Sequence, residues 1–269
     1  MNRFFARYQN DIVLLCSLLA LWPVFHWYAL RMFDGSDESF GLLALITALG
    51  FVLTSRRVDE GQTMRLKSIT ILLGVYILSY FFLPPILRAA IAVTLLGLLL
   101  SRRYLGRRFH VGLWGLLLLS LPVVASMQFY LGYPLRWIVG QLAARLLQLN
   151  GLAVTHAGAV LNWPGGTVAI DAPCSGIKML WFGLYLSVTL ACVYRLDTVK
   201  LIGLSALTVL VIIAANTLRA TTLFYIESGL IATPAWTHDG AGVLMFLLAA
   251  AAIVWLAGRL KTRQMPCGA

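Results

Sequence analysis

The sequence predicts an all-α polytopic membrane protein of about eight transmembrane helices, carrying a small extracytoplasmic cap. Three observations predict it. Of the 269 residues, 60% are hydrophobic and only 12% are charged, against about 25% charged in an average soluble domain. The mean hydropathy is +0.86. The basic residues fall in short runs between apolar segments, as the determinants of membrane topology do.

The apolar segments run over residues 12–33, 40–54, 68–87, 89–100, 111–127, 173–193, 199–226 and 240–257. The second and fourth are short for a bilayer about 30 Å thick, so they must tilt, borrow flanking residues or meet thinned lipid. The amino end leads into the first segment without a small-residue cleavage site, which predicts a retained span rather than a removed signal peptide. Arg3 and Arg7, residues 56–67, 102–108, 195–200 and 259–263 form five basic stretches that alternate with basic-poor loops. The positive-inside rule puts all five in the cytoplasm and the acidic loop 34–38 outside, and an even number of spans returns both termini to the cytoplasm. One membrane domain over residues 1–269 is the economical reading, and no internal repeat is evident.

Residues 128–172 have a different texture and predict an extracytoplasmic cap inserted between spans five and six. Over 134–149, Leu135, Ile138, Leu142, Leu146 and Leu149 recur at helical spacing while Arg136, Gln141, Arg145 and Gln148 fall elsewhere, the pattern of an amphipathic helix lying along the interface. Val154 and His156 then alternate, the chain turns at Pro164-Gly165-Gly166, and Val168 and Ile170 resume the alternation, as in a β-hairpin. The net charge of +11 resides in topology-setting runs, which argues against a nucleic-acid partner. Cys16, Cys174, Cys192 and Cys267 have neither metal-site nor disulfide-framework spacing, and no metal or organic cofactor is implied.

Reactive side chains gather in the last three spans. Ala172-Pro173-Cys174-Ser175-Gly176 opens the sixth, with Asp171 able to cap and Pro173 suited to a first helical turn. A helix amino terminus and Lys178 one turn on would both favour a thiolate at Cys174; the plainer reading is a small cysteine packing a helix start. Arg219, preceded by Asn216 and followed by Thr221 and Thr222, lies inside the seventh span, where arginine marks function unless it snorkels to the surface. His238 opens the eighth span beside Asp239; a lone interfacial histidine is more often structural, but imidazole titrates near neutral pH. The charge rule places all three on one side of the membrane. A thiolate, an imidazole and a guanidinium can serve as nucleophile, general acid/base and oxyanion stabiliser, a set sufficient for acyl transfer. Of the other histidines, His26 is in the first span and His110 is cytoplasmic, while His156 stays open as an alternative base.

At Ala172-Pro173-Cys174-Ser175-Gly176, Asn216-Thr217-Leu218-Arg219 and His238, in that order, the chain resembles the exosortase and archaeosortase family of membrane-embedded cysteine transpeptidases. The resemblance covers the carboxy-terminal part best; the first four spans match in hydrophobicity and number. It implies that Cys174 attacks a peptide bond near the carboxy terminus of an exported protein and forms a thioester, while Arg219 and His238 stabilise charge and shuttle protons. Asp171, Ser175, Lys178 and Asn216 stand around them as supporting or substrate-contacting positions. The implied substrates carry a sorting tail made of a short motif such as Pro-Glu-Pro, a transmembrane helix and a basic cluster. The implied outcome is transfer to an unknown surface acceptor, on the periplasmic side of the inner membrane of a bacterium with an exopolysaccharide system; the exosortase branch is preferred to the archaeosortase one. Two other readings stand beside it: a transporter or flippase whose Arg219 binds an anion, and a noncatalytic assembly protein of an exopolysaccharide system.

Overall fold

The computed structural model describes residues 2–35, 37–55, 66–234 and 236–261. The basic stretch from Arg56, the side chains of Arg3 and Arg7, and the tail with Arg263 and Cys267 lie outside the described residues. The chain divides into two compact units, residues 1–123 and 124–269.

Helices build the first unit. Helix α1 (Asn2–Ala20) and α2 (Trp22–Met32) occupy the first apolar segment but meet at a bend of 56°. The cause is Pro23, which has no N–H to give to the preceding turn and whose ring crowds the carbonyl four residues back. The chain bridges the break with Leu21 N–H to the Ser17 carbonyl at 3.0 Å and Val24 N–H to the Leu21 carbonyl at 3.0 Å. Helices α3 (Gly41–Thr54) and α4 (Leu66–Phe82) follow, then α5 (Pro85–Leu105).

The expected boundary between the third and fourth segments, at residues 87–89, is corrected to Leu83-Pro84. A residue before proline is driven out of the helical region, whereas Pro85 fits a first turn. The fourth segment is therefore not short: α5 has 21 residues and ends at Gly106, left-handed at φ 60°. Arg103 at its end is paired with Asp11 of α1 at 2.8 Å. Helix α6 (Val111–Ser120) starts at His110, whose Nδ1 accepts the Leu113 N–H at 3.1 Å. Burial, with help from the Arg107 charge, pushes the His110 imidazole below its ordinary range, which keeps Nδ1 unprotonated for that cap.

The second unit starts with α7 (Val124–Leu149). The expected fifth span over 111–127 is thus not one helix; Pro122 sits in the break between α6 and α7. The amphipathic helix expected from Pro134 is the second half of α7, with Pro134 inside it. Val139, Gly140, Ala143, Ala144 and Leu147 of this half are buried in protein, while Leu149, on the expected apolar face, is 84% exposed. Small residues face protein because they allow close approach, whereas large apolar side chains are at home in lipid.

Three antiparallel strands follow, β1 (Thr155–Ala157), β2 (Val160–Trp163) and β3 (Gly166–Ala169), in the order β1-β2-β3. The Pro164-Gly165 turn joins β2 to β3, with Leu161 opposite Val168, and β1 adds a strand to the expected hairpin by pairing His156 with Leu161. Leu161, Val168, Val154, Ala143, Ala144 and Leu147 pack with Phe224 in one core.

Helices α8 (Ile177–Val193), α9 (Thr198–Glu227) and α10 (Thr237–Leu260) complete the unit, sharing a core of Met179, Leu180, Ile212, Ala215, Ala249 and Ile253. Gly183 of α8 leaves room for Ile212 and Thr208 of α9. Their outer faces present Ile202, Leu210, Leu247 and Leu248, all exposed. Among the described residues, helix α5, the segment Ala172–Val193, α9 and α10 are long and apolar enough to cross a membrane, and up to six segments are if helices that meet at a bend are joined. The protein is a multi-pass, mainly helical membrane protein.

Close helix contact in the first unit is testable at Gly41, where a β-carbon would run into the Ser120 backbone carbonyl at the end of α6. Gly41→Ala is expected to cost about 1–3 kcal/mol and to lower the thermal midpoint of the detergent-purified protein. Gly74→Ala, with open space around it, should leave that midpoint in place. Equal midpoints for the two variants would contradict this packing.

Candidate active site

Cys174, expected at the amino terminus of the sixth span's helix, lies in a short 3₁₀ turn, Ala172–Ser175, that precedes α8. Pro173 lies in its first positions. The side chain of Asp171 makes no cap hydrogen bond; instead its backbone carbonyl accepts the Cys174 N–H at 2.9 Å. Gly176 ends the turn in the left-handed region at φ 82°, a conformation that costs other residues about 1–2 kcal/mol, and α8 starts immediately after it.

Two side-chain amides from two other helices grip this turn. Asn216 of α9 donates from Nδ2 to the Cys174 carbonyl at 3.1 Å and is itself 2% exposed. Gln128 of α7 accepts from the Ser175 hydroxyl at 2.9 Å and donates to the Ala172 carbonyl at 3.3 Å. Glycines make room for both amides, since a β-carbon at Gly176 would stand 2.8 Å from the Asn216 Nδ2 and one at Gly132 would stand 2.7 Å from the Gln128 Nε2. The space behind the turn, lined by Ser175, Gly176, Leu180, Ile212 and Asn216 among others, retains a cavity of only about 10 Å³. The turn is therefore held from behind, and Cys174 is partly exposed on its other side.

Arg219 lies one helical turn beyond Asn216 on α9. Its guanidinium packs against Gly242 of α10, where a β-carbon would stand 3.2 Å from Nε. That Nε is buried with no hydrogen-bond partner among the described residues. Burial is the largest influence on the Cys174 thiol, ahead of the Arg219 charge and then those of Glu227 and Asp171. Lys178 lies in the first turn of α8.

His238 stands in the first turn of α10, one turn before Gly242, so α10 presents imidazole and arginine contact on successive turns. Its Nε2 is 3.3 Å from Glu227 Oε1, and its Nδ1 is 3.6 Å from Asp239 Oδ1. Cys174 lies just ahead of α8, Arg219 on α9 and His238 at the start of α10, three helices that pack against one another. His156, the alternative base, lies on β1 with its ring edge-on to Trp137 of α7, centroids 6.1 Å apart. Among the described residues no metal-holding cluster of His, Cys, Asp or Glu occurs.

Gln128, Glu227 and Gly242 take part in this geometry and were not singled out from the sequence. Gln128 sat at the first position of the expected cap, and Glu227 at the end of an apolar segment, each readable as a solvated polar residue. Gly242 carried no signal, because its role is to leave space.

The grip on the turn predicts its stability. Asn216→Ala removes a hydrogen bond of about 1 kcal/mol, so backbone amide exchange over residues 172–178 should speed by about fivefold, measured by mass spectrometry on the detergent-purified protein. Unchanged exchange there would show that Asn216 does not hold the turn.

A family model described as Transmembrane exosortase matches residues 7–255. No curated protein and no solved structure matches the chain. The match runs well beyond the carboxy-terminal motifs and takes in the amino-terminal helices, whose resemblance in the sequence rested on hydrophobicity and number. The chain belongs to the transmembrane exosortase family.

Proposed function

We propose that this protein is a membrane cysteine transpeptidase that cuts the carboxy-terminal sorting tail of exported proteins and passes them, through a thioester on Cys174, to a surface acceptor. The observation that carries the reading is the gripped turn, which offers a partly exposed thiol within reach of the charge of an arginine whose Nε donor is unspent. A fixed nucleophile and an unspent donor for the developing charge are what acyl transfer requires.

In this reading His238 takes the Cys174 proton and Sγ attacks the scissile carbonyl carbon. Arg219 stabilises the oxyanion, and its planar fork of donors is suited to a charge that builds only in the transition state. As the intermediate collapses, His238 returns the proton to the departing amine, which leaves with the transmembrane tail. An acceptor amine then attacks the thioester; where water attacks instead, the product is a free carboxylate.

The substrate helix lies in the bilayer with its motif just outside. About eight spans, with the basic stretches and both termini in the cytoplasm, put the site on the periplasmic side of the inner membrane. Residues 128–172 form the cap there. Packing of Trp163 of β2 on Phe224 of α9, with ring centroids 5.9 Å apart, supports a sheet seated near the site, where excluding water favours transfer over hydrolysis. Ser175 and Asn216 are positioning residues of the turn; Asp171 and Lys178 are candidate substrate contacts.

In cells carrying a tagged substrate with a Pro-Glu-Pro tail, Cys174→Ala should abolish processing. Arg219→Lys should reduce it by about 100-fold or more at normal membrane abundance, because a single ammonium cannot replace the fork. Processing that persists in Cys174→Ala but is lost in Arg219→Ala would favour a transporter, and near wild-type processing in Arg219→Lys would remove Arg219 from the site. Mass spectrometry of the product should find an acceptor adduct; the free carboxylate alone would make the protein a plain protease.

A further inference from the structure

Glu227 is the last residue of α9, about 12 Å along the helix axis beyond Arg219. Its carboxylate meets His238 Nε2 at 3.3 Å, with the two side chains 38% and 40% exposed. The other carboxylate beside that ring, Asp239, is 93% exposed and 3.6 Å from Nδ1, beyond hydrogen-bond length. The imidazole thus has a carboxylate close at Nε2 and only a more distant, exposed one near Nδ1. A pair this exposed contributes little to stability, typically about 0–1 kcal/mol, so stability does not account for it.

The charge of the same carboxylate also bears on the Cys174 thiol, behind burial and the Arg219 charge. A bare carboxylate there opposes a thiolate by like-charge repulsion. One that is joined to an imidazolium does not, because the pair is neutral. Glu227 therefore helps the thiol ionise only if the proton that leaves sulfur arrives on His238.

We propose that Glu227 is the positioning residue of His238: it holds the ring by Nε2–H, leaves the Nδ1 lone pair as the base, and stabilises the imidazolium. This rests on the active-site reading of Cys174 and His238. In the step, the Cys174 S–H bond breaks and an Nδ1–H bond forms on His238, while Nε2–H stays on the ring donating to Glu227. The electron pair left on sulfur becomes the nucleophile, and no charge enters or leaves the site. The Nδ1 proton later moves to the departing amine, which restores the neutral ring. A carboxylate fixes both tautomer and orientation of an imidazole in this way.

The two roles open to this carboxylate have opposite signs in one experiment, the rate at which iodoacetamide alkylates Cys174 near pH 7 in the full-length protein, followed at the Cys174 peptide by mass spectrometry. If Glu227 holds the base, Glu227→Gln slows alkylation by about tenfold and lowers kcat for tail cleavage by about tenfold or more, with KM unchanged. Asp239→Asn should match wild type in both. If Glu227 is only a nearby negative charge, Glu227→Gln alkylates as fast as wild type or faster, and the proposal is overturned; an equal loss in Asp239→Asn overturns it too. Should Glu227→Gln fail to accumulate, Glu227→Asp carries the test, since its shorter carboxylate gives intermediate rates if it holds the ring and wild-type rates if it does not. Cys174→Ala and His238→Ala separate the two levels: if both abolish cleavage while Glu227→Gln does not, Glu227 alone loses its role, whereas cleavage by Cys174→Ala removes the active-site reading itself.

Discussion

A thiol becomes a positioned nucleophile only when the backbone that bears it is fixed, and here the fixing contact is the hydrogen bond from Asn216 to the Cys174 carbonyl. It forms because Gly176 turns left-handed and has no β-carbon to push the amide away. Arg219 follows Asn216 by three residues, so it lies on nearly the same face of α9 one turn further on. A single helix thus grips the turn and carries the guanidinium one turn further on. Gln128 adds a second grip from α7, which leaves the turn little freedom to pivot on Asn216.

The helices can come this close because glycines stand where they meet. Gly183 lies against Ile212 and Thr208, and Gly242 lies against the Arg219 guanidinium. In lipid there is no hydrophobic drive between helices, so contact depends on fitted packing and polar bonds, and small residues gather at the contacts. At Gly242 the same feature serves the site: a larger side chain would occupy the space in which Arg219 sits. Packing and charge placement are therefore one constraint on α10, whose next turn toward its start carries His238.

Much of this was readable in advance, and the parts that were not have physical causes. Each apolar segment is helical over most of its length, because a run without charges has few other ways to satisfy its backbone in lipid. Helix ends were less legible: Pro23, Pro84-Pro85 and Pro122 interrupt or start helices inside stretches that hydropathy alone reads as continuous or divides elsewhere. The protein-facing side of α7 was not legible either, because it is marked in part by small residues such as Ala143 and Ala144, while Leu149 is exposed. At the site, the motif around Cys174 and the intramembrane Arg219 stood out as chemistry. Asn216 was named beside Arg219, but its bond to the Cys174 carbonyl was not legible, nor was Gln128, since Gln128 is 47 positions from Ser175 and Asn216 is 42 from Cys174. A local pattern cannot report such pairs.

The central claim is that the sulfur on this gripped turn becomes acylated. Its most direct measurement is to quench the protein with a tailed substrate during turnover and map the covalent adduct by mass spectrometry. The account predicts the substrate fragment upstream of the cut joined through its new carbonyl to Cys174 and released by hydroxylamine. Turnover with the adduct on another residue, or with none formed under conditions that preserve thioesters, would contradict it.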